Sequence, residues 1–328
     1  EFDHKGVGFA EMLNSAKAAQ QAAVELLLVD ARPLENMDAY RERFGPVTPV
    51  LPTLLEANYA PADDNPDRAF IRSAMEDYGV TDCMTLERGG VTYGLFGLMG
   101  VDSDECAPTS GFTRTDAAKA AKRCVETLKG EGAEIIVCLS HSGTGDSLAS
   151  SEDEELAKAV DGIDVILSGH THTTLDEPLR VGDTLIVSCG EYTANLGVLT
   201  VEWKPNGEKT VADYRLLPVD ETVAEDPDMA AMAAAFQPLV EEQYLSQFGV
   251  GFDEVLARSP FAFTPIGRFG AEHREDTLGS LIADSYVYAV QQAEGADYVP
   301  VDFAVVAAGV IRGSFPAGEI TTSDVFNV

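Results

Sequence analysis

Two consecutive helix–strand units, each ending in histidine, constrain this chain more than any other feature. Residues 115–130 carry apolar groups at helical spacing and lead into the apolar run Glu134–Leu139. Residues 152–160 do the same ahead of Asp164–Ser168. The first run ends in Leu139-Ser-His141-Ser-Gly143, the second in Gly169-His170-Thr171-His172. In extended chain, residues i and i+2 point the same way, so His170 and His172 are predicted to face one point beyond their strand, with Thr171 turned away. His141 leaves its strand in the same manner. If the two strands are neighbours, the imidazoles converge on one sheet edge, where open αβ sheets bind ligands. Imidazole is the commonest side-chain ligand for transition metals. A three-histidine set with an open position suits a single zinc ion, and it suits half of a two-metal site equally. The plain alternative is turn histidines satisfied by backbone hydrogen bonds. His4 and His273 lie in polar contexts and read as solvated.

The rest of the chain reads as two αβ regions. Residues 8–24 have helical spacing, and a Pro-rich stretch over 43–66 holds a strand candidate near Leu51–Leu55. Residues 83–101 read as a hairpin around Gly89-Gly90. Leu185–Cys189 and Leu196–Trp203 alternate like antiparallel strands that close the sheet. An acidic, Ala-rich stretch over 218–248 is expected to be a helical linker, dividing residues 1–217 from 249–328. The last segment offers a helix at 277–291, a strand at Val301–Ala307 and turns at Gly309 and Pro316–Gly318. That is too little for a complete domain.

Charge sets a condition on any substrate. With 22 basic against 55 acidic residues, the 328-residue chain carries a formal charge of −33. Such a field argues against a nucleic-acid polymer as partner and repels phosphate esters, unless cations gather locally. No apolar run reaches the roughly 20 residues that span a bilayer. Five cysteines show no C-x-x-C pairing; Cys138 and Cys189 sit inside apolar runs and read as buried thiols.

The motifs Gly169-His-Thr-His172 and Leu139-Ser-His-Ser-Gly143, with Ser151-Glu-Asp-Glu-Glu-Leu-Ala-Lys-Ala-Val160, resemble the bacterial 5′-nucleotidase family. The likeness continues through Gly190-Glu-Tyr192, Leu278-Gly-Ser-Leu-Ile-Ala-Asp284 and Ile311-Arg312. It implies the fold class α/β (α+β): a metallophosphoesterase-type β-sandwich flanked by helices, followed by a partial αβ C-terminal domain. It implies two divalent metal ions (Zn, Mn or similar), His141 and His170 binding one and His172 the other. Ions about 3.5–4 Å apart would activate a water and polarise a phosphoryl oxygen. Arg312 would contact the substrate. Asp3 would orient a catalytic histidine that lies, with the bridging aspartate, ahead of Glu1; the chain then reads as truncated at both ends, inactive alone and weak in metal binding.

The implied function is hydrolysis of nucleoside 5′-monophosphates or related small phosphate esters, by a protein exported as most of the family are. A UDP-sugar hydrolase and a 2′,3′-cyclic phosphodiesterase with 3′-nucleotidase activity are the near alternatives. A non-catalytic binding module that keeps the fold is the alternative of another class. The family's Arg-x-Arg-Glu and Asn-x-Gly-Gly-Ile-Arg stand here as Glu272-His-Arg-Glu275 and Ala307-Ala-Gly-Val-Ile-Arg312. Nucleotide recognition is therefore expected to depart from the family's usual form.

Overall fold

The computed structural model describes residues 53–145, 151–204, 209–265, 268–269, 276–307 and 310–328. The helix expected over 8–24, and with it Asp3 and His4, lies outside them, as do His273 and the Glu272–Glu275 motif. The chain divides into two compact units between Ala224 and Glu225.

The first unit runs β1 (Tyr59–Pro61), α1 (Arg68–Tyr78), β2 (Cys83–Arg88), β3 (Val91–Met99), α2 (Val101–Glu105), β4 (Phe112–Arg114) and α3 (Ala117–Gly130). It continues with β5 (Ile135–His141), α4 (Glu152–Ala159), β6 (Val165–Ser168), β7 (Leu179–Val181), β8 (Thr184–Val187), β9 (Asn195–Trp203) and β10 (Lys209–Pro218). Its main sheet has the order β2-β3-β5-β6-β8-β7, with β3, β5, β6 and β8 mutually parallel. The β2–β3 hairpin turns at Gly89-Gly90, whose φ values of 60° and 79° are those a two-residue turn of this hand demands.

Strand alternation sorts the core into two layers. Phe96, Leu98, Ile136, Cys138, Ile166 and Ile186 face the helices and pack on Ala120, Ala121, Cys124, Val125 and Leu128 of α3 and Leu156 and Ala157 of α4. Their neighbours Val137, Val165, Leu185 and Val187 face the other way, onto Leu199, Val201, Trp203, Val211 and Tyr214 of the β9–β10 hairpin. Helices on one face and a second β layer on the other make the expected α/β sandwich. Asp164 staples the layers at one end: its carboxylate accepts the Ile136 N–H at 2.7 Å and pairs with Lys209 of β10.

The closing strands differ from expectation. β8 runs parallel to β6 and takes β7 as its antiparallel partner, while β9 leaves the sheet to pair with β10. Alternation marks a strand with one face buried; it does not say which strand lies beside it.

The second unit runs α5 (Pro227–Gln243), a short 3₁₀ turn at Leu245–Gln247, β11 (Val255–Ser259), α6 (Thr277–Glu294), β12 (Gly318–Thr321) and α7 (Thr322–Asn327). Leu278, Ile311, Phe315 and Ile320 form its buried cluster. Val301–Ala307 is not a strand: Phe303 and Val305 are about four-fifths exposed, and β11 pairs with β12 instead. An apolar run without a ladder partner cannot satisfy its backbone as a strand.

Candidate metal centre

The parallel register delivers two of the histidines to one place. His141 is the last residue of β5, opposite Met99 of β3, and Ser140 lies opposite Ser168 of β6. The Gly169 N–H donates to the Ser140 carbonyl at 2.9 Å, so the β6 loop leaves directly beside His141. The His141 and His170 rings then lie 5.1 Å apart, tilted by 58°.

The segment His170–His172 is not extended, contrary to the alternation argument. His170 and His172 have φ of 83° and 56°, in the left-handed region that non-glycine residues seldom enter. Thr171 is the cause. Rather than facing away, its hydroxyl donates to the Thr144 carbonyl at 2.9 Å and accepts the Thr144 N–H at 3.2 Å. That pins the second histidine loop to the first. Gly143, with φ of 104°, makes room: a Cβ there would come within 2.3 Å of the Thr171 methyl. With the loop turned this way the imidazoles split. His170 joins His141, whereas the Nδ1 of His172 pairs with the Glu191 carboxylate and its ring meets Tyr192 edge-on at 5.7 Å.

A third element, α2, completes the surroundings. Gly100 allows the end of β3 to approach β5, since a Cβ there would lie 2.5 Å from the Ser142 Cα. The His141 carbonyl accepts from the Gly100 N–H at 3.2 Å and from the Ser103 hydroxyl. Glu152 of α4 accepts the Val101 and Asp102 N–H groups at 2.9–3.2 Å, occupying orphan donors at the start of α2. Asp102 Oδ2 is thereby set 2.7 Å from His170 Nε2. Asp102, Cys106 and His170 each offer a ligand atom within 4.8 Å of the others.

Burial, followed by the charges of His170 and His172, holds the His141 pKa below its usual value and favours the neutral imidazole that binds cations. An open cavity of about 330 Å³ beside it is lined by Glu56, Met99, Ser140, His141 and Ser168. Burial raises the Glu56 carboxyl to about 7. Beneath the site Asp153 is fully buried, its Oδ1 accepting from the Ser140 hydroxyl at 2.6 Å. Paired imidazoles, a third imidazole on a carboxylate, and a carboxylate with a thiol nearby form a donor set that fits divalent cations.

Sequence reasoning missed Asp102, Cys106, Glu152 and Glu56 as neighbours of the histidines. Asp102 and Cys106 precede His141 by more than thirty positions in the chain, and only the β3–β5 pairing shows that they meet. Glu191 lies within the Gly190-Glu-Tyr192 phrase, so a signal for it existed. Arg312 sits in the second unit with its side chain exposed and its N–H donating to the Val328 carbonyl at 2.9 Å.

Residues 256–328 match the family model of the 5′-nucleotidase C-terminal domain. A trifunctional nucleotide phosphoesterase protein of Bacillus subtilis is 28% identical over 272 residues, which cover 80% of this chain. The chain is similar to the 5′-nucleotidase family in sequence and in fold. An apyrase of Aedes albopictus is 26% identical over 262 residues, covering 72% of the chain. A crystal structure of a 5′-nucleotidase precursor from Thermus thermophilus superposes with a TM-score of 0.60 at 23% identity over 84% of this chain, a likeness of fold. The chain spans 17% and 42% of the lengths of the two relatives and 52% of the solved one. Among its described residues, no helix is long and apolar enough to cross a membrane.

Proposed function

We propose that the protein carrying this chain is a metal-dependent phosphoesterase that hydrolyses nucleoside 5′-monophosphates or closely related phosphate esters. One observation carries the reading: His141 and His170 come together at the ends of adjacent parallel strands, with His172 on a carboxylate beside them. His141 and His170 would hold one divalent cation and His172 a second. Such ions supply Lewis-acid polarisation of a phosphoryl oxygen and a water acidic enough to act near neutral pH. The chain's own residues have simpler tasks. Thr171 and Gly143 fix the spacing of the two histidine loops, and Asp153 braces Ser140 next to His141.

In a chain with a formal charge of −33, cations at this edge would also offset repulsion of an anionic substrate. Arg312 is the proposed contact for the nucleotide, as an exposed cation in the segment that matches the C-terminal domain model. The name of the Bacillus subtilis relative, a trifunctional nucleotide phosphoesterase, supports a nucleotide ester as substrate.

A phosphate-release panel on the full-length protein with manganese or zinc tests the reading, using AMP, UDP-glucose, 2′,3′-cyclic AMP and a cyclic dinucleotide. Metal-dependent release from AMP that His170→Ala and His172→Ala abolish is the expected result. Release from UDP-glucose, 2′,3′-cyclic AMP or the cyclic dinucleotide but not from AMP would reject the nucleotidase assignment. No release from any ester with either metal would reject the phosphoesterase itself.

A further inference from the structure

We propose that Asp102 and Cys106 join His170 as direct ligands of a thiophilic divalent cation, so that this edge of the sheet carries an oxygen–sulfur–nitrogen donor set. The idea rests on the metal-binding reading of His170 and adds two ligands that the sequence motifs do not contain. Asp102 and Cys106 are one helical turn apart, and the Cys106 N–H donates to the Asp102 carbonyl at 3.0 Å, so both side chains leave one face of α2. That face is the one turned to His170, because Asp102 Oδ2 reaches Nε2 at 2.7 Å. The orientation of α2 is not incidental. Glu152 holds its first N–H groups, and the His141 carbonyl takes the Gly100 N–H and the Ser103 hydroxyl.

The three ligand atoms already lie within 4.8 Å of one another. Ligand atoms of a tetrahedral zinc site are roughly 3.3–3.8 Å apart. The present arrangement therefore needs the carboxylate–imidazole hydrogen bond to open and the thiol to close in. Asp102 and Cys106 are both exposed, which leaves their side chains room to do so. His141, its ring 5.1 Å from that of His170, is the neighbour placed to supply a fourth donor. A thiolate selects zinc or cobalt over manganese and magnesium, which prefer oxygen ligands. Cys106 would thus narrow the metal preference of the centre.

The test is a cobalt titration of the chelator-stripped protein followed by absorption. The wild type is expected to show the near-ultraviolet thiolate-to-cobalt charge-transfer band together with the visible bands of tetrahedral cobalt. Cys106→Ser is expected to lose the charge-transfer band and to bind cobalt about tenfold more weakly, while Cys189→Ser keeps both. Asp102→Asn is expected to weaken binding with the band retained. Cobalt bound by the wild type without that band, or a band that survives Cys106→Ser, would overturn the thiolate ligand and leave the histidine reading intact. Failure of the wild type to bind cobalt at all would remove both.

Discussion

Replacing Asp153 with asparagine should flatten one component of the pH dependence of folding. Asp153 is fully buried at the start of α4, and burial raises its carboxyl from 3.8 to about 6, against the lowering effect of the Ser140 hydroxyl. Between those two values the native state keeps a proton that the unfolded chain has lost. Stability from this group is therefore complete below the unfolded pKa and is lost as pH rises through the folded one. A shift of about two units corresponds to about 3 kcal/mol in total. Roughly half of that is already lost by pH 5, leaving on the order of 1 kcal/mol to be lost between pH 5 and pH 8. That range also avoids the sequence pI near 4.2. Asparagine keeps the shape and the acceptor for Ser140 but cannot ionise. Urea unfolding of the metal-free proteins, followed by the fluorescence of Trp203, the single tryptophan and a residue of β9, gives the stability of the first unit directly. Other titrating groups cancel in the difference between variant and wild type. The variant is expected to gain on the order of 1 kcal/mol on the wild type from pH 5 to pH 8. A difference constant across that range would refute the reasoning.

Gly97→Ala would place a Cβ 2.1 Å from the Leu55 carbonyl oxygen, a backbone atom that cannot swing aside, so a loss of about 3 kcal/mol or more is expected by urea denaturation. Leu128→Ala empties a fully buried position between α3 and β3, and should cost about 2–5 kcal/mol in the same assay. Glu152→Ala removes the acceptor at the start of α2 and should cost about 1 kcal/mol. It should also weaken cobalt binding, because Asp102 loses its fixed position.

Much of the fold was legible because it rests on periodicity. The hairpin at Gly89-Gly90, the helices before β5 and β6, and α6 follow from apolar spacing and turn residues alone. What was not legible depended on partners. β8 reads as an antiparallel strand until β6 is known to lie beside it, and Val301–Ala307 reads as a strand although no neighbour pairs with it among the described residues. The site divides in the same way. His141, His170 and His172 announce themselves by spacing, whereas their separation into a pair and a single residue follows from Thr171 gripping Thr144, a contact across 27 positions. Asp102, on a five-residue helix, carries no local signal for its contact with His170.

The claim that these imidazoles form a cation site is tested most directly by titrating the chelator-stripped chain with zinc and following the heat of binding by isothermal titration calorimetry. Saturable binding is expected for the wild type, lost in His170→Ala, where both the His141 pairing and the Asp102 contact disappear. His172→Ala is expected to keep the tighter phase. Wild-type and His170→Ala chains that bind zinc with the same isotherm would contradict the assignment.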